Sequence, residues 1–282
     1  MKISVIIVNY KTSEFTKNLV RNLKKYLKLE NEIIVVDNSG DCNLDGVIYI
    51  YPYRNVGFAR ACNLGAKLAK GEYLLFLNPD VIPELDAIEK LLSFAEKKED
   101  AGVVTGKLLN FDGSLQLSLR RFPTIMRVAF GRKSILRKIF PKSRFSREYL
   151  MYDADYEKVQ EIEWSRGAVF LIKKDVFWKA GGFDERFFLF CEDVDLCYRL
   201  KKMGYKNYYY PDAIFYHKFG AVVEKDWAKA FLHHNISMYK YFKKHYGFNF
   251  FTDIFVICGL FLRLILIFLV EGGRRCITGL FS

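Results

Sequence analysis

Apolar runs of strand length alternate with helix-period segments through the first hundred residues, and this alternation leaves few folds open. Residues 3–9 are almost wholly apolar and end on Asn9-Tyr10, as a strand buried on both faces does. Phe15, Leu19, Leu23 and Leu27 then recur at spacing four, with Val20 beside them, which predicts an amphipathic helix. Residues 33–37 make a second buried strand, broken at Asn38-Ser39-Gly40, and 47–51 a third, shorter one. Residues 57–70 read as a helix ended by Gly71, 73–77 as the fourth strand, and 84–97 as the next helix. The expected fold is α/β, a mostly parallel sheet covered by helices. Such sheets bind ligands beyond the carboxyl ends of their strands. That rule gathers Asn9, Asp37, the loop Arg54-Asn55-Val56-Gly57 and Asn78-Pro79-Asp80 around one crevice.

Further along, 168–172 reads as a strand and 194–203 as a short helix stopped by Gly204. Two short strands, 208–210 and 214–216, flank Pro211-Asp212 and lead to His217, and 228–245 looks helical. A chain of 282 residues makes one domain with appendages, or at most two. The formal charge of +12 is concentrated: the ten Lys and Arg residues from Arg120 to Arg147, with no acid among them, leave only +2 for the rest. That block, interleaved with Phe122, Met126, Phe130, Ile135, Leu136, Ile139 and Phe140, reads as an anion-facing amphipathic stretch, with a solvated loop as the alternative. No basic stripe or nucleic-acid module accompanies it, so nucleic acid is not expected as a partner. The six cysteines form no CxxC pair and no secretory signal opens the chain, so a reducing compartment with packing cysteines is expected.

The chemistry is carried by two acidic sites. In Phe187-Phe188-Leu189-Phe190-Cys191-Glu192-Asp193-Val194-Asp195, three carboxylates sit among aromatic and apolar residues. Carboxylates in such a frame serve a charge partner or proton chemistry. Asp195, four residues before Arg199, invites a helical ion pair. Asp193 can cap the helix or, held ionised there, act as a general base; Glu192 can be that base or a hydrogen-bond partner. Asp37 can face a base or ribose, or close an Asx turn. Asp80 can ligate a divalent cation on a diphosphate or simply start a loop, and His217 can add an imidazole or be structural. There is no glycine before Gly40, which removes dinucleotide fingerprints and phosphate loops and disfavours nucleotidyl transfer.

Together these pieces resemble the family-2 inverting glycosyltransferases of GT-A fold, especially bacterial rhamnosyltransferase-like members. The matching text is Val5-Ile6-Ile7-Val8-Asn9-Tyr10, Ile34-Val35-Val36-Asp37-Asn38-Ser39, Asn55-Val56-Gly57-Phe58-Ala59 and Gly71-Glu72-Tyr73-Leu74-Leu75-Phe76-Leu77-Asn78-Pro79-Asp80, then Gly181-Gly182-Phe183-Asp184-Glu185-Arg186-Phe187-Phe188 and the pair Glu192-Asp193. The resemblance covers about residues 1–220 and implies a Rossmann-like GT-A domain over 1–225, with 118–150 as a basic insertion and 226–282 as a helical, membrane-associating extension. It implies that Asn9, Tyr10, Asp37, Asn55, Gly57, Asn78 and Asp80 line the nucleotide-sugar pocket. Asp80 and His217 would hold a divalent cation, Mn2+ or Mg2+, with Asn78 in place of the first aspartate of the DxD motif. Asp193 would be the base, with Glu192 beside it, and Trp164, Arg166, Gly167 and Ala168 would border donor sugar and acceptor. By the same likeness the donor is dTDP-rhamnose and the product part of a cell-surface polysaccharide.

Residues 254–270 are apolar except for Gly259 and Arg263 and would span about 26 Å as a helix, short of the roughly 30 Å hydrocarbon layer. Arg263 at the middle costs about 2.5–3.5 kcal/mol on insertion scales. Lys240, Lys243 and Lys244 before it and Arg274 and Arg275 after it suit an anionic cytoplasmic membrane surface. A true span and burial against protein, including a second copy in a homo-oligomer, are the alternatives. The expectation is an enzyme at the inner membrane face taking a lipid-linked glycan acceptor; the alternative is a non-catalytic nucleotide- or membrane-surface-binding protein on the same fold.

Overall fold

The computed structural model describes residues 1–129, 148–218, 227–247, 249, 251–262 and 265. Strands β1 (Ile3–Asn9), β2 (Asn31–Asp37), β3 (Ile48–Ile50) and β4 (Tyr73–Leu77) alternate with helices α1 (Ser13–Tyr26) and α2 (Phe58–Leu68), as the periodicity predicts. Then come β5 (Val81–Pro83), α3 (Ala87–Glu96), β6 (Ala101–Leu109), β7 (Leu119–Arg120) and α4 (Ile125–Ala129). The chain continues through β8 (Gln160–Ile162), β9 (Trp164–Ser165), β10 (Val169–Lys173), α5 (Lys174–Lys179), α6 (Glu192–Lys202), β11 (Lys206–His217) and α7 (Trp227–Tyr246). Among the described residues one sheet runs β3-β2-β1-β4-β10-β6-β11-β5, with β8 on β11, while β7 and β9 form a separate ribbon. The β3-β2-β1-β4 half is parallel, β10 runs antiparallel between β4 and β6, and β11 is parallel to β6.

Alternate residues of each buried strand feed two cores, because side chains along a strand point to opposite faces. Ile6, Val8, Ile34, Val36, Leu74 and Phe76 pack with α2, α5, α6 and α7 on one face. Ile3, Val5, Ile7, Ile33, Val35 and Leu75 pack with α1 and α3 on the other.

Register decides where chemistry can occur. Asn9 lies opposite Asp37, and Val169 opposite Leu77, so the start of β10 shares an edge with the ends of β1, β2 and β4. β11 ends there too, with His217 opposite Val81.

Several boundaries differ from the sequence reading. β6 was not anticipated, and residues 81–83 pair with β11 as β5, so the helix expected from 84 begins at Ala87. The two short strands around Pro211 are one strand, β11, with a register shift between Tyr210 and Ile214; proline lacks the ladder donor, and an irregularity absorbs it. The helix expected at 194 starts at Glu192. Of the 118–150 insertion only 118–129 and 148–150 are described, so its amphipathic character over 130–147 lies outside the described residues, as do 263–264 and 266–270 of the apolar stretch. No helix among the described residues is long and apolar enough to cross a membrane.

Candidate active site

At the tip of β1 and β2, Asn9 and Asp37 bind each other. Asn9 is fully buried; its amide donates to Asp37 Oδ1 (2.8 Å), Asp41 Oδ1 (2.7 Å) and Ser39 Oγ (3.1 Å), while its oxygen accepts from Thr12 and Thr16. Asp37 also accepts from the amides of Ser39, Gly40 and Cys42 and from the Tyr49 hydroxyl at 2.8–3.0 Å. Burial opposes the Asp37 charge, but Asn9, Tyr49 and the backbone donors outweigh it and hold the carboxyl below its usual range. Asp37 therefore closes the Asx turn at 37–40, and Asn9 braces two strand ends. Tyr10 is half-buried beside them.

Asn38, which sequence reasoning passed over, joins this tip to the next loop. It is buried, its amide donates to Gly57 O (3.2 Å), and its Oδ1 accepts from Val56 N. Asn55 Oδ1 accepts from Gly57 N at 3.0 Å. Gly57 has φ +86°, and a Cβ there would stand 2.5 Å from Phe188 O, so only glycine fits. The adjacent Phe58 N donates to that same carbonyl (2.8 Å), which ties the loop to the acidic segment.

Phe190 and Cys191 both have φ +67°, and α6 begins at the next residue. Two consecutive non-glycine residues in the left-handed region cost about 1–3 kcal/mol each, a strain that surrounding structure must hold. They deliver Glu192 and Asp193. Asp193 Oδ2 accepts from Gly167 N (3.1 Å) and Oδ1 from Val194 N (2.8 Å). Burial pushes the Asp193 carboxyl up to about 6, with those backbone donors acting in the opposite direction. Glu192 is 6% exposed, and its Oε2 has no hydrogen-bond partner among the described residues. Burial, and secondarily the neighbouring Asp193 charge, pushes Glu192 well above the usual carboxylate range. A Cβ on Gly167 would come within 3.2 Å of the Asp193 carboxylate, so glycine lets that close approach happen.

Gly167 leads to Ala168, whose carbonyl accepts from Asn78 N (3.0 Å). Two residues on, Asp80 is buried with Oδ1 3.5 Å from His217 Nε2. Gln116, also missed from the sequence, sets the imidazole. Its amide nitrogen donates to His217 O and Asn110 Oδ1, both at 2.6 Å, so its Oε1 is the atom facing His217 Nδ1 at 2.9 Å. Nδ1 then carries a proton, and Nε2 faces Asp80. A carboxylate and an imidazole nitrogen at that separation fit a divalent cation whose other ligands come from elsewhere. Among the described residues no cluster of three His, Cys, Asp or Glu is placed to hold an ion.

Trp164 and Arg166 are half-buried, and both donate to carbonyls of the 117–121 stretch. Trp164 Nε1 donates to Arg121 O (2.8 Å), and the Arg166 guanidinium donates to Leu117 O.

These bonds, with the short stretches of backbone between them, connect the Asp37 tip through Asn38 to Gly57, through Phe188 to Asp193, and through Gly167, Ala168 and Asn78 to Asp80 and His217. The sequence model for glycosyl transferase family 2 matches residues 4–199. The Escherichia coli rhamnosyltransferase WbbL is 27% identical over 251 residues, covering 84% of this chain and 91% of that protein. The N-acetylglucosaminyl-diphospho-decaprenol L-rhamnosyltransferase of Mycobacterium tuberculosis is 26% identical over 234 residues, covering 76% and 75%. Among solved structures, the mannosyltransferase PcManGT of Pyrobaculum calidifontis, in complex with GDP-Man and Mn2+, superposes with TM-score 0.56 at 15% identity, over 93% of this chain and 70% of that one. S. aureus TarS 1–349 gives 0.54 at 17% identity, over 84% and 65%. These two likenesses speak for the fold. The family match runs from β1 into α6 and takes in every element of this edge except β11, so the chain belongs to glycosyl transferase family 2 and has the GT-A fold.

Proposed function

We propose that this glycosyltransferase is metal-dependent and inverting, moving rhamnose from a nucleotide-diphospho-sugar to a hydroxyl of a lipid-linked glycan. The observation that carries the reading is the path from Asp80–His217 to Asp193, in which Asn78 N meets Ala168 O and the neighbouring Gly167 N meets Asp193. It supports the reading by linking a pair suited to an ion and a carboxylate suited to a base along one sheet edge. The relatives named as rhamnosyltransferases support the sugar, and the decaprenol-linked substrate in one relative's name supports the acceptor class.

Asp80 and His217 would hold the cation, which supplies positive charge against the departing diphosphate. Asp193 accepts the proton of the acceptor hydroxyl as its oxygen attacks the anomeric carbon. The sugar–phosphate bond breaks on the opposite face, so one displacement inverts the centre. A carboxyl near 6 is ionised at neutral pH and more basic than an ordinary aspartate. The tip of β1 and β2 and the loop at Asn55 and Gly57 would cradle the nucleotide.

The reaction takes place at the cytoplasmic membrane surface. The helical residues 251–262 bury Val256 but leave Phe251, Phe255, Phe261 and Leu262 more than half exposed, an apolar face suited to an acyl boundary. Ile125 and Met126 of α4 are also exposed, at the start of the basic segment.

A transfer assay with dTDP-rhamnose, Mn2+ and a polyprenyl-diphospho-sugar acceptor tests the reading. Product with inverted anomeric configuration, lost on chelation of the metal, is expected; retention of configuration or full activity in chelator contradicts it.

A further inference from the structure

The sequence reading places residues 226–282 outside the catalytic domain, yet α7 reaches directly into the acidic segment. Ser237 Oγ donates to Leu189 O (2.8 Å), and Lys240 Nζ donates to Arg186 O (2.6 Å). Lys244 Nζ bridges Asp184 Oδ2 (2.7 Å) and Asp195 Oδ1 (2.6 Å), and His245 Nε2 donates to the same Asp195 oxygen (2.7 Å). Higher on the helix, His233 stacks on Phe188 with ring centres 4.8 Å apart. Positions 233, 237, 240 and 244 recur at spacings of three and four, so one stripe of α7 serves one segment of chain. A neighbouring face, carrying Met238, Tyr241 and Phe242, supplies the apolar docking.

That segment takes part of its shape from α7. It contains the left-handed pair Phe190 and Cys191, and its own carbonyls at Arg186 and Leu189 are satisfied by α7 side chains. Asp195 is the second anchor. It is fully buried in the first turn of α6, its amide donates to Cys191 O, and its carboxylate receives Arg199 from its own helix and Lys244 and His245 from α7. Fixing Asp195 fixes the first turn, and Asp193 lies two residues earlier in that turn. The Asp193 carboxylate must meet Gly167 N at 3.1 Å, a geometry that a small rotation of the turn would lose.

We propose that His245, with Ser237 and Lys244, is a positioning residue for the transfer reaction: α7 locks residues 184–195 so that Asp193 faces the acceptor hydroxyl. The lock acts chiefly on the base: none of its hydrogen bonds reaches Asp80, His217 or the Asp37 tip, and it meets the nucleotide loop only indirectly, at Phe188, whose carbonyl accepts from Phe58 N. It rests on the functional reading above in assigning the base to Asp193.

The test compares full-length wild type, His245→Ala, His245→Gln, Ser237→Ala and, as a control outside the lock, Lys243→Ala, whose side chain pairs with Asp253. Three quantities are read: kcat, donor KM, and amide hydrogen exchange of the peptide spanning 186–193. In His245→Ala, kcat should fall about 10- to 100-fold, as for a misplaced catalytic group, with donor KM within about twofold. Exchange in 186–193 should quicken there and, to a smaller degree, in Ser237→Ala. His245→Gln, which keeps a donor for Asp195, should recover most of kcat, and Lys243→Ala should match wild type. Unchanged kcat and unchanged 186–193 exchange in His245→Ala would overturn the proposal. So would equal losses of kcat and donor binding with exchange rising throughout the sheet, the pattern of a merely structural role. Should His245→Ala not fold, Ser237→Ala carries the same comparison. If wild type itself transfers no sugar, the functional reading fails, while the exchange measurement still decides whether α7 locks the segment.

Discussion

Glu192 and Asp193 are adjacent carboxyls, and their surroundings separate them. Asp193 keeps two backbone donors and an exposed portion, whereas Glu192 is buried with one oxygen unpartnered. The Asp193→Asn protein is therefore expected to bind donor nucleotide normally and to transfer sugar about 10²–10⁴-fold more slowly; calorimetry and the transfer assay check the two halves. Because burial raises the Asp193 carboxyl to about 6, its base form disappears as pH falls through that value. A pH profile of kcat/KM, which reports the free enzyme, should show an acid limb near 6, and in Asp193→Asn that limb should vanish. The linkage for stability has the opposite sense. A carboxyl raised in the folded state binds its proton more tightly there than in the unfolded chain, so its own contribution to stability is full below the unfolded value and is lost as pH rises through the folded one. Glu192→Gln removes this penalty. Its Tm should exceed that of wild type by roughly 2–4 °C at pH 8, if about 1 kcal/mol is recovered, and by little at pH 5. The sequence announced this pair, because acids among aromatics are rare. It did not announce which of the two stays buried, since that depends on the left-handed turn at Phe190 and Cys191.

Elements place these residues, and here legibility was uneven. The first four strands and their helices were readable, since each apolar run is long and each helix amphipathic. β6 was not, because Ala101-Gly102-Val103-Val104-Thr105-Gly106 mixes small and polar residues, and Gly106 is required where a Cβ would lie 2.3 Å from Ala213 O. Gln116 was invisible for a related reason: it sits on an irregular loop, and only the fold brings it to His217, 101 positions away. Gln116→Ala should weaken Mn2+ binding by about 10- to 100-fold by freeing the imidazole, read by titration in the presence of nucleoside diphosphate. Gly57→Ala meets both a positive φ and the Phe188 carbonyl. A loss of more than about 1 kcal/mol, visible as a lower Tm, is the expected result.

At the scale of the whole molecule, the edge that carries the candidate site, the helix α7 and an exposed apolar helix follow one another. α7 packs on α6, and the helical residues 251–262 follow it, with Val256 in the same core as Phe242. Tyr246 Oη donates to Pro123 O (2.8 Å), which brings the start of the basic segment to the same corner. The sequence marked 254–270 as apolar but could not show which side chains the core would take. Removal of residues from Thr252 onward should abolish co-sedimentation with anionic vesicles; unchanged sedimentation would place the membrane contact elsewhere. The central claim, that the Asp80–His217 pair and the Asp193 carboxylate serve one reacting sugar, is tested most directly by a crystal structure with Mn2+ and an intact nucleotide-sugar. The account expects the ion ligated by Asp80 and His217 on the diphosphate, with Asp193 across the anomeric carbon from the leaving oxygen. An ion bound away from that pair, or a sugar whose anomeric carbon lies out of reach of Asp193, would contradict it.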